Sequence, residues 1–379
     1  MQAVAVLGSR SMLTKVRLQN YASFGALQEV PLEPITVLVG PNNSGKSCFL
    51  RFAEVVRSGG VPDPSLWHRP PVEGPFRIGW DAVVAGPDVG APGERSAAYD
   101  VTVEGSEPGS VTRETVTIDG ELLYDARGQV DASASAMLRG GSRSVKSGVG
   151  LPGLARSPDD DPLLAVVRPV VEARRVQLRV DCLRADTPLS EEPMAADGTN
   201  LAGLVARWNL TAPATFDRLN EVLRRCIPEV RRVSARPVGR ELRLQVEQQD
   251  GEVFDAAAVS DGVLVFVGLV AQVLQGPPRG LMLIEEPERG IHPRRLADLV
   301  DVLRALVHDQ GTQFVLGTHS PALLNCFHDE PEAIVALRRG RHGTVAARAT
   351  DLPDVLETLR RADPGELLAS GAFHEALGG

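Results

Sequence analysis

The segment GPNNSGKS, at residues 40–47, constrains the fold of this chain more strongly than any other part of it. It fits the pattern G-x-x-x-x-G-K-[ST] and lies between a predicted strand, ITVLVG at 35–40, and a predicted helix, CFLRFAEVVRS at 48–58. In that context the pattern forms a loop of backbone N–H groups at a helix N-terminus, and such a loop cradles phosphate groups. The segment therefore predicts a nucleotide-binding α/β protein, and a chance glycine-rich turn is the less favoured alternative.

Individual residues of this phosphate loop have separate expected tasks. Lys46 would reach the β- and γ-phosphates of a nucleotide, and the Ser47 hydroxyl would bind Mg²⁺. Asn43 lies where a left-handed backbone is favoured, and asparagine tolerates that conformation better than most residues. The predicted nucleotide-binding residues of the loop are Gly40, Pro41, Asn42, Asn43, Ser44, Gly45, Lys46 and Ser47.

The segment LMLIEEPERGIHP, at 281–293, ends an apolar strand in two adjacent carboxylates. Isolated carboxylates are costly to bury, so this pair does not serve packing. Beside a phosphate loop, one acid can lie on the Mg²⁺ shell and the next against the attacking water. We assign Glu285 to the metal and Glu286 to the water, as general base or orienting residue. A solvated acid pair at the start of a helix is the alternative.

Two further segments fit a phosphate site. VSDG, at 259–262, begins an apolar predicted helix, with Ser260 as its N-cap, Asp261 next and Gly262 allowing a close backbone approach. This is a second helix end that attracts anions. His319 follows the predicted strand QFVLG, where its imidazole could hydrogen-bond a γ-phosphate. Taken alone, each signal is weak, because most such segments only cap helices and a lone histidine is more often structural.

The pattern along the chain indicates the fold class. Residues 261–325 alternate helix and strand, which is typical of α/β proteins. Strand patterns with an Asp119-Gly120 turn precede residue 130, and a further hairpin ends at Asp250-Gly251. Helical spacing appears at 215–226, whereas 131–161 is predicted to be loosely ordered.

Composition limits the partners and the compartment. A net charge of −9 argues against a generally basic, DNA-coating surface, but it leaves room for a local basic patch. The four cysteines show no CxxC spacing, so we expect reduced thiols in a cytosolic protein. AVAVLG near the start is too short for a signal-peptide core, and no apolar stretch reaches the ~20 residues of a membrane span. We therefore expect a cytoplasmic protein that makes no membrane contact.

Two groups of arginines are candidate phosphate contacts for nucleic acid. They are Arg224, Arg225, Arg231, Arg232, Arg236 and Arg240, and then Arg338, Arg339 and Arg341. Arginine supplies nearly all the positive charge of this chain, because the only lysines are Lys15, Lys46 and Lys146. A solvated arginine surface is therefore the favoured interpretation for each of these residues taken singly.

The order of these segments resembles that of ABC-type ATPase heads. The chain is similar to the small, arm-less predicted ATPases of the RecF/SMC-like ABC group, which are related to OLD-family ATPase heads. The resemblance runs from about Leu13 to the C-terminus. It is carried by KVRLQNYASFGALQEVPLEPITVLVGPNNSGKS, DGTNL, VSDG, LIEEPERGIHP and THSP. No heptad run occurs between residues 48 and 258, so no coiled-coil arm is expected.

The resemblance implies a domain plan. Residues 1–379 form a single ABC-type ATPase head: a P-loop NTPase with a mixed central sheet, helices on both faces and an antiparallel β subdomain. Residues 13–58 hold N-terminal strands and the Walker A loop, and 59–250 hold inserted α/β segments without a coiled coil. Residues 251–379 hold the signature segment VSDG, the Walker B acids, the D-loop ERGIHP and the switch histidine.

The resemblance also implies a mechanism. Two heads associate head-to-tail as a homodimer bridged by two ATP molecules, and the VSDG helix of one copy caps the γ-phosphate held by the other. Glu286 and His319 are then the catalytic residues, and the D-loop lies near the facing copy. The Q-loop glutamine of this group is not identified, because no glutamine occurs between the helix after the phosphate loop and Gln129. His68 is a candidate substitute by its position.

The resulting functional hypothesis is an ATPase that dimerises on ATP and acts on DNA or controls a separately encoded nuclease or other effector. Relatives in this group act on DNA, and several arm-less ones work in antiphage defence. The alternative is an ATP-binding sensor or scaffold with negligible hydrolysis. The nucleotide-binding subunit of a transporter is disfavoured, because the THSP and EEPERGIHP variants look SMC-like.

Overall fold

The computed structural model describes residues 11–57, 64–69, 71–85, 94–104, 111–129, 134–138, 141–145, 162–189, 192–276 and 280–378. Its strands are β1 (Met12–Gln19), β2 (Gln28–Pro31), β3 (Ile35–Val39), β4 (Phe76–Ala85), β5 (Glu94–Glu104), β6 (Val111–Ile118), β7 (Glu121–Gln129), β8 (Ala134–Leu138), β9 (Gly141–Val145), β10 (Arg174–Val176), β11 (Val230–Val238), β12 (Glu241–Gln248), β13 (Val253–Asp255), β14 (Leu281–Glu285), β15 (Gln313–Gly317), β16 (Ile334–Gly340) and β17 (Gly343–Arg348).

The α-helices of the described residues are short. They are α1 (Lys46–Phe49), α2 (Phe52–Arg57), α3 (Pro162–Val171), α4 (Val180–Arg184), α5 (Leu201–Thr211), α6 (Pro213–Cys226), α7 (Asp261–Leu274), α8 (Leu296–Gln310), α9 (Pro321–Asn325), α10 (Pro353–Leu359), α11 (Pro364–Ser370) and α12 (Ala372–Ala376). No helix among the described residues combines the length and the apolar character that crossing a bilayer requires.

A six-stranded sheet carries the phosphate loop. Its order is β10-β14-β15-β3-β16-β17, and all neighbours are parallel except the β16–β17 pair. Every residue of β3 and β15 is buried, because helices including α5 to α8 cover one face while α1 to α3 and a second sheet pack on the other. Strands covered on both faces are unbroken apolar runs, which is why ITVLVG and QFVLG identify these two strands.

An antiparallel sheet of eight strands forms the β subdomain, in the order β2-β1-β4-β5-β6-β7-β8-β9. Its Asp119 and Gly120 have φ values of 51° and 77°, so the predicted Asp-Gly hairpin turn is confirmed. A third sheet, β11-β12-β13, packs with α5 and α6. The predicted fold class, a mixed sheet between helices with an antiparallel β subdomain, is confirmed.

The expectation of loose order over residues 131–161 is wrong for two segments. Residues 134–138 form β8, which pairs with β7, and residues 141–145 form β9, which pairs with β8. Their sequences, ASAML and GSRSV, contain few β-branched or aromatic residues. The strand conformation of β8 and β9 therefore depends on pairing with the neighbouring strand more than on local preference. The rest of 131–161 lies outside the described residues.

Two helices that border the predicted site differ in how well the sequence locates them. Helix α7 begins at Asp261, because the Ser260 hydroxyl accepts a hydrogen bond of 3.4 Å from the Val263 backbone N–H and caps it as predicted. The helix predicted at 48–58 is divided into α1 and α2, and residue 58 lies outside the described residues.

Candidate nucleotide-binding site

The phosphate loop, the two acids and His319 meet at the carboxyl edge of the six-stranded sheet. Strands β3, β15 and β14 are adjacent and parallel, so the segments that follow them leave the sheet on the same side. They enclose a cavity of about 220 Å³. Its lining comprises Asn42, Asn43, Ser44, Gly45, Lys46, Ser47, Cys48, Glu285, Glu286, Gly317 and His319. Segments separated by more than 230 residues in sequence thus form one site.

The phosphate loop has the backbone that a ring of N–H donors requires. Gly40, Asn43 and Gly45 have positive φ values of 149°, 64° and 110°. A Cβ atom on Gly40 would lie 2.1 Å from the Leu337 carbonyl oxygen, and one on Gly45 would lie 2.5 Å from the Thr344 hydroxyl. Both glycines are therefore required by space as well as by conformation, and the left-handed backbone predicted for Asn43 is confirmed.

Lys46 is held by the loop itself. Its ammonium group donates hydrogen bonds to the carbonyl oxygens of Gly40, at 2.7 Å, and Pro41, at 3.0 Å. Burial lowers the pKa of Lys46 to about 8, against an opposing effect of three nearby carboxylates, of which Glu285 contributes most. A buried ammonium with neutral partners favours the arrival of an anion, because a phosphate would supply the missing opposite charge.

Ser47 and Glu285 are directly joined. The Ser47 hydroxyl donates a hydrogen bond to Oε1 of Glu285, and Arg175 donates one of 3.2 Å to Oε2 of the same carboxylate. Arg175 also lies 3.5 Å from Oε1 of Glu54. A hydroxyl and a carboxylate side by side at the rim of a phosphate loop are oxygen ligands of the kind that Mg²⁺ takes. The residues present therefore fit the predicted metal.

Glu286 has an unusual backbone. Its φ of 49° is left-handed, and its N–H donates a 2.8 Å hydrogen bond to the Gly317 carbonyl. For a residue with a Cβ, this conformation costs about 1–2 kcal/mol. Its side chain is exposed and lines the cavity. Strained residues of this kind cluster at functional sites, so the conformation supports a role for Glu286 in chemistry.

Glu288 holds the backbone of His319 in place through hydrogen bonds. Oε1 of Glu288 accepts hydrogen bonds from the Thr318 hydroxyl, at 2.6 Å, and from the His319 backbone N–H, at 3.3 Å. Burial, with a contribution from Lys46, lowers the pKa of His319, so its ring is neutral at pH 7. The Glu288 carboxylate thus makes its hydrogen bonds within its own chain. The expectation that the D-loop lies near a facing copy stays a prediction.

The segment Ser260 to Gly262 does not join this cavity. Ser260 and Gly262 line a separate cavity of about 530 Å³, together with Gly290 and His292 of the D-loop. A Cβ on Gly262 would lie 2.3 Å from the Gly290 carbonyl oxygen, so the predicted close backbone approach is confirmed, with Gly290 as the neighbour. Asp261 accepts a 2.7 Å hydrogen bond from Arg184.

Gln177, which was not predicted from the sequence, lies beside the phosphate-loop cavity. Strand β10 pairs in parallel with β14, with Val176 opposite Ile284, so Gln177 follows at the level of Glu285. It lines a neighbouring cavity of about 200 Å³ with Glu285 and Glu286. It lies beyond the stretch up to Gln129 in which the Q-loop glutamine of this group was expected. The signal would have been a glutamine directly after any short strand.

His68 does not take that place. Its Nδ1 atom lies 3.0 Å from the Ala22 carbonyl oxygen, and its side chain is buried. It packs beside Gly25 in the turn between β1 and β2. The ring therefore supports the turn and does not line the cavity of the phosphate loop.

Three of the six arginines in the first group form ion pairs with acids of the same chain. Arg225, Arg231 and Arg236 form ion pairs, with Asp301 at 2.8 Å, Glu247 at 2.8 Å and Asp255 at 2.7 Å, respectively. Arg232 lies over the ring of Phe216 at 5.1 Å. The structure thus does not make this group a strong phosphate-contacting strip.

Known proteins give an independent comparison. A family model described as "AAA domain, putative AbiEii toxin, Type IV TA system" matches residues 35–325. The chain is similar in structure to an SmcHead bound to the C-winged helix domain of ScpA, with 14% identity, a TM-score of 0.53 and coverage of 88% of this chain and 96% of that chain. At this identity the likeness is one of fold. No curated protein sequence matches the chain.

A second similar structure is an Smc head domain from Pyrococcus furiosus with an extended coiled coil, bound to the C-terminal domain of ScpA. It has 13% identity and a TM-score of 0.48, and the match covers 93% of this chain and 100% of that chain. A third is the SMC head domain from Thermotoga maritima, with 15% identity, a TM-score of 0.42 and coverage of 89% and 98%.

Proposed function

This chain belongs to the family described as AAA domain, putative AbiEii toxin, Type IV TA system, and its fold is that of an SMC/RecF-like ABC-type ATPase head. From this premise we propose that it binds ATP with Mg²⁺, dimerises on ATP and hydrolyses it to ADP and phosphate. We further propose that residues 1–379 act as a single head in the cytoplasm. The single cavity that joins Lys46, Ser47, Glu285, Glu286 and His319 carries the proposal.

Each side chain of the cavity has a task that its position supports. Lys46 binds the β- and γ-phosphates, and it exchanges the carbonyl oxygens of the loop for phosphate oxygens. Ser47 and Glu285 hold the metal, which when bound neutralises phosphate charge. Glu286 takes the proton of the water whose oxygen attacks the γ-phosphorus, as the bond to the β–γ bridging oxygen breaks. The neutral His319 ring donates a hydrogen bond to a γ-phosphate oxygen.

A homodimer would bring together the phosphate loop and the helix end at Ser260, which lie in separate cavities of one chain. Ser260, Asp261 and Gly262 lie at the N-terminus of the 14-residue helix α7, which attracts anions. They line a cavity that does not include Lys46. In an isologous two-fold dimer, the helix end of each copy faces the phosphate loop of the other, and two ATP molecules complete the interface. ATP then works as a switch between joined and separate heads.

We propose that this switch acts on DNA or controls a separately encoded nuclease or other effector, in DNA repair or antiphage defence. Likeness to an SMC head supports a switch of this type, because that head is bound to a domain of ScpA. The alternative is a sensor that binds ATP and hydrolyses it negligibly. The exposed Glu286 in the cavity favours hydrolysis.

The test is phosphate release by the wild type and by Glu286→Gln. Removing the base should lower kcat by about 10³-fold, in the range of general-base contributions. Glu221→Gln is the matched control, because Glu221 is exposed on α6, away from the cavity, and it should keep wild-type activity. A wild type as slow as Glu286→Gln would favour the sensor.

Size-exclusion chromatography tests the dimer. Glu286→Gln with ATP and Mg²⁺ should elute as a dimer, because it binds ATP and does not release the heads. Lys46→Ala under the same conditions should elute as a monomer. A Glu286→Gln protein that stays monomeric at saturating ATP would refute the two-head arrangement while leaving ATP binding intact.

A further inference from the structure

Arg175, on the edge strand β10, lies between two acids that come from distant segments of the chain. Its Nη2 donates a 3.2 Å hydrogen bond to Oε2 of Glu285, and its Nη1 lies 3.5 Å from Oε1 of Glu54 on α2. The Arg175 side chain is only 14% exposed. Its guanidinium therefore connects the end of β14 with the helices that follow the phosphate loop.

Arg175 binds only one of the two oxygens of Glu285. An arginine and a carboxylate frequently pair through two parallel hydrogen bonds, which would occupy both carboxylate oxygens. Here Glu54 attracts Nη1, so Arg175 donates to Oε2 of Glu285 alone. Oε1 remains with the hydroxyl of Ser47, the other proposed ligand of Mg²⁺. Each oxygen of the Glu285 carboxylate thus has its own partner, and the two partners together fix its orientation.

Arg175 and Glu54 contact this acid from outside the nucleotide space. Among the described residues, those that line the phosphate-loop cavity include Glu285 but neither Arg175 nor Glu54. Strand β10 runs parallel to β14 with Arg175 opposite Leu283, so its backbone lies two residues before the strand end that carries Glu285. Arg175 therefore contacts the metal acid without lining the space for the nucleotide.

We propose that Arg175 is a positioning residue for the metal acid. It holds Oε2 of Glu285 so that Oε1 faces Ser47, and Glu54 keeps Arg175 in this single hydrogen bond. The inference rests on the metal site of the proposed function. Partners that orient a metal ligand typically contribute about 10- to 100-fold to metal affinity. The affinity for Mg²⁺ should therefore depend on two side chains that contact neither the metal nor the nucleotide.

Two other roles for Arg175 predict different results. A guanidinium that acted only as an opposing charge beside a cation site would weaken metal binding, so its removal would strengthen that binding. A guanidinium that only tied α2 to β14 would contribute to stability, because its loss leaves acids without their counter-charge. Its removal would then leave metal binding unchanged. The sign of the change in metal affinity separates the three roles.

The test measures how much Mg²⁺ strengthens the binding of AMP-PNP, a non-hydrolysable ATP analogue. Titration calorimetry is done with Mg²⁺ and with EDTA, below the dimerisation concentration. Arg175→Gln should keep the affinity in EDTA and lose about 10-fold of the gain that Mg²⁺ gives the wild type. Glu54→Gln should lose less, since it frees Arg175 to bind both oxygens of Glu285. The double variant should match Arg175→Gln, because Glu54 acts through Arg175.

Arg348→Gln is the matched control. Arg348 pairs with Glu33 at 2.7 Å and is 26% exposed, and its Nε, like that of Arg175, is buried without a hydrogen-bond partner among the described residues. Its loss should lower the thermal unfolding temperature about as far as Arg175→Gln does, with the wild-type gain from Mg²⁺. In phosphate release, Arg175→Gln should need about 10-fold more Mg²⁺ for half of its maximal rate and approach the wild-type kcat at saturation.

An unchanged gain in Arg175→Gln would overturn the inference and leave a structural tie, and a larger gain would overturn it in favour of an opposing charge. Additive losses in the double variant would overturn the role given to Glu54. A wild type that binds AMP-PNP equally with Mg²⁺ and with EDTA would refute the proposed metal site and, with it, this inference. If Arg175→Gln fails to fold, Glu54→Gln decides by the same comparison, because Glu54 is 40% exposed.

Discussion

The phosphate-loop cavity and the Ser260 cavity are both built at helix N-termini, yet only the first holds the groups that its chemistry needs. Lys46, Glu286 and His319 come together within one chain. Ser260 faces Gly290 and His292 across a larger space of about 530 Å³, with no site acid or lysine of the first cavity among its lining residues.

This difference between the two cavities shows how nucleotide binding can belong to one copy of the chain while catalysis needs two. A single chain has the charge and the cradle to bind a nucleotide, so binding should survive in an isolated protomer. A second helix end must come from another copy, so hydrolysis should depend on the dimer. One loop connects the two cavities. Its Glu288 accepts a hydrogen bond from the His319 backbone N–H, and its Gly290 lies against the backbone of Gly262.

The strongest test of this division mixes two inactive variants. Lys46→Ala and Ser260→Arg should each lower ATP hydrolysis by about 100-fold or more, since each damages both composite sites of its homodimer. An equal mixture should recover ATP hydrolysis well above either variant alone, because only a mixed dimer holds one intact site of two.

The matched control replaces Ser260→Arg in that mixture with the double variant Lys46→Ala/Ser260→Arg. No dimer then contains an intact phosphate loop, so activity should stay at the background. Recovery in the control, or none in the first mixture, would contradict a site shared between copies. Steady-state phosphate release at equal total protein is the measurement.

The second test separates binding from hydrolysis in the isolated protomer. Lys46→Ala should weaken ATP binding by about 10- to 100-fold, because hydrogen bonds of charged groups contribute about 1.5–3 kcal/mol. Ser260→Arg should leave protomer affinity unchanged, because Ser260 lies outside the loop cavity. Titration calorimetry below the dimerisation concentration measures both. Equal losses in the two variants would show that the cavities are one site.

The third test concerns the loop that joins the two cavities. Glu288→Ala should lower kcat by about 10-fold with ATP affinity unchanged, because it removes the acceptor that orients His319 and a small misplacement is costly at a reacting centre. Glu288→Gln keeps an oxygen acceptor for the Thr318 hydroxyl and should restore most of the rate. A similar loss in both variants would mean that charge, not positioning, is the role of Glu288.

The smallest effect is a pH dependence confined to the first cavity. Since burial lowers the pKa of Lys46 to about 8, its charge is lost as pH rises through that value in the nucleotide-free protein. ATP requires the charged form, so binding takes up a proton and affinity falls with rising pH. The expected loss is about threefold between pH 7.5 and pH 8.5.

The control for this titration is Lys46→Arg, which stays charged over the range and should show a flat profile even if its affinity is lower. Calorimetry in two buffers of different ionisation enthalpy would count the proton directly. A wild-type profile as flat as that of Lys46→Arg would show that the ammonium group keeps its charge in the free protein.

Much of the candidate site was predictable because its signals are local. The phosphate loop needs glycine and asparagine at positive φ within eight residues, and those residue types stand at 40, 43 and 45. Helix α7 begins where Ser260 can cap it, three residues before its bonded N–H. The double acid directly follows an apolar run and His319 follows another after two residues, so each could be placed at a strand end before its neighbours were known.

The parts that escaped prediction depend on which distant strands are neighbours. Gln177 reaches the site only because the three-residue strand β10 pairs with β14, more than a hundred residues later. The acid that binds Arg175, the acid that pairs with Arg225 and the hydrogen bond from Thr318 to Glu288 likewise depend on contacts between distant segments.

What the sequence alone determined, then, is the type of each site residue and the backbone that presents it, because turns, caps and buried strands are encoded within a few adjacent residues. Tertiary structure decided which charges are compensated, as where Arg175 donates a hydrogen bond to Glu285. Such contacts form between chain segments whose separation in sequence carries no information about their distance in space, so only burial of the shared core brings them together.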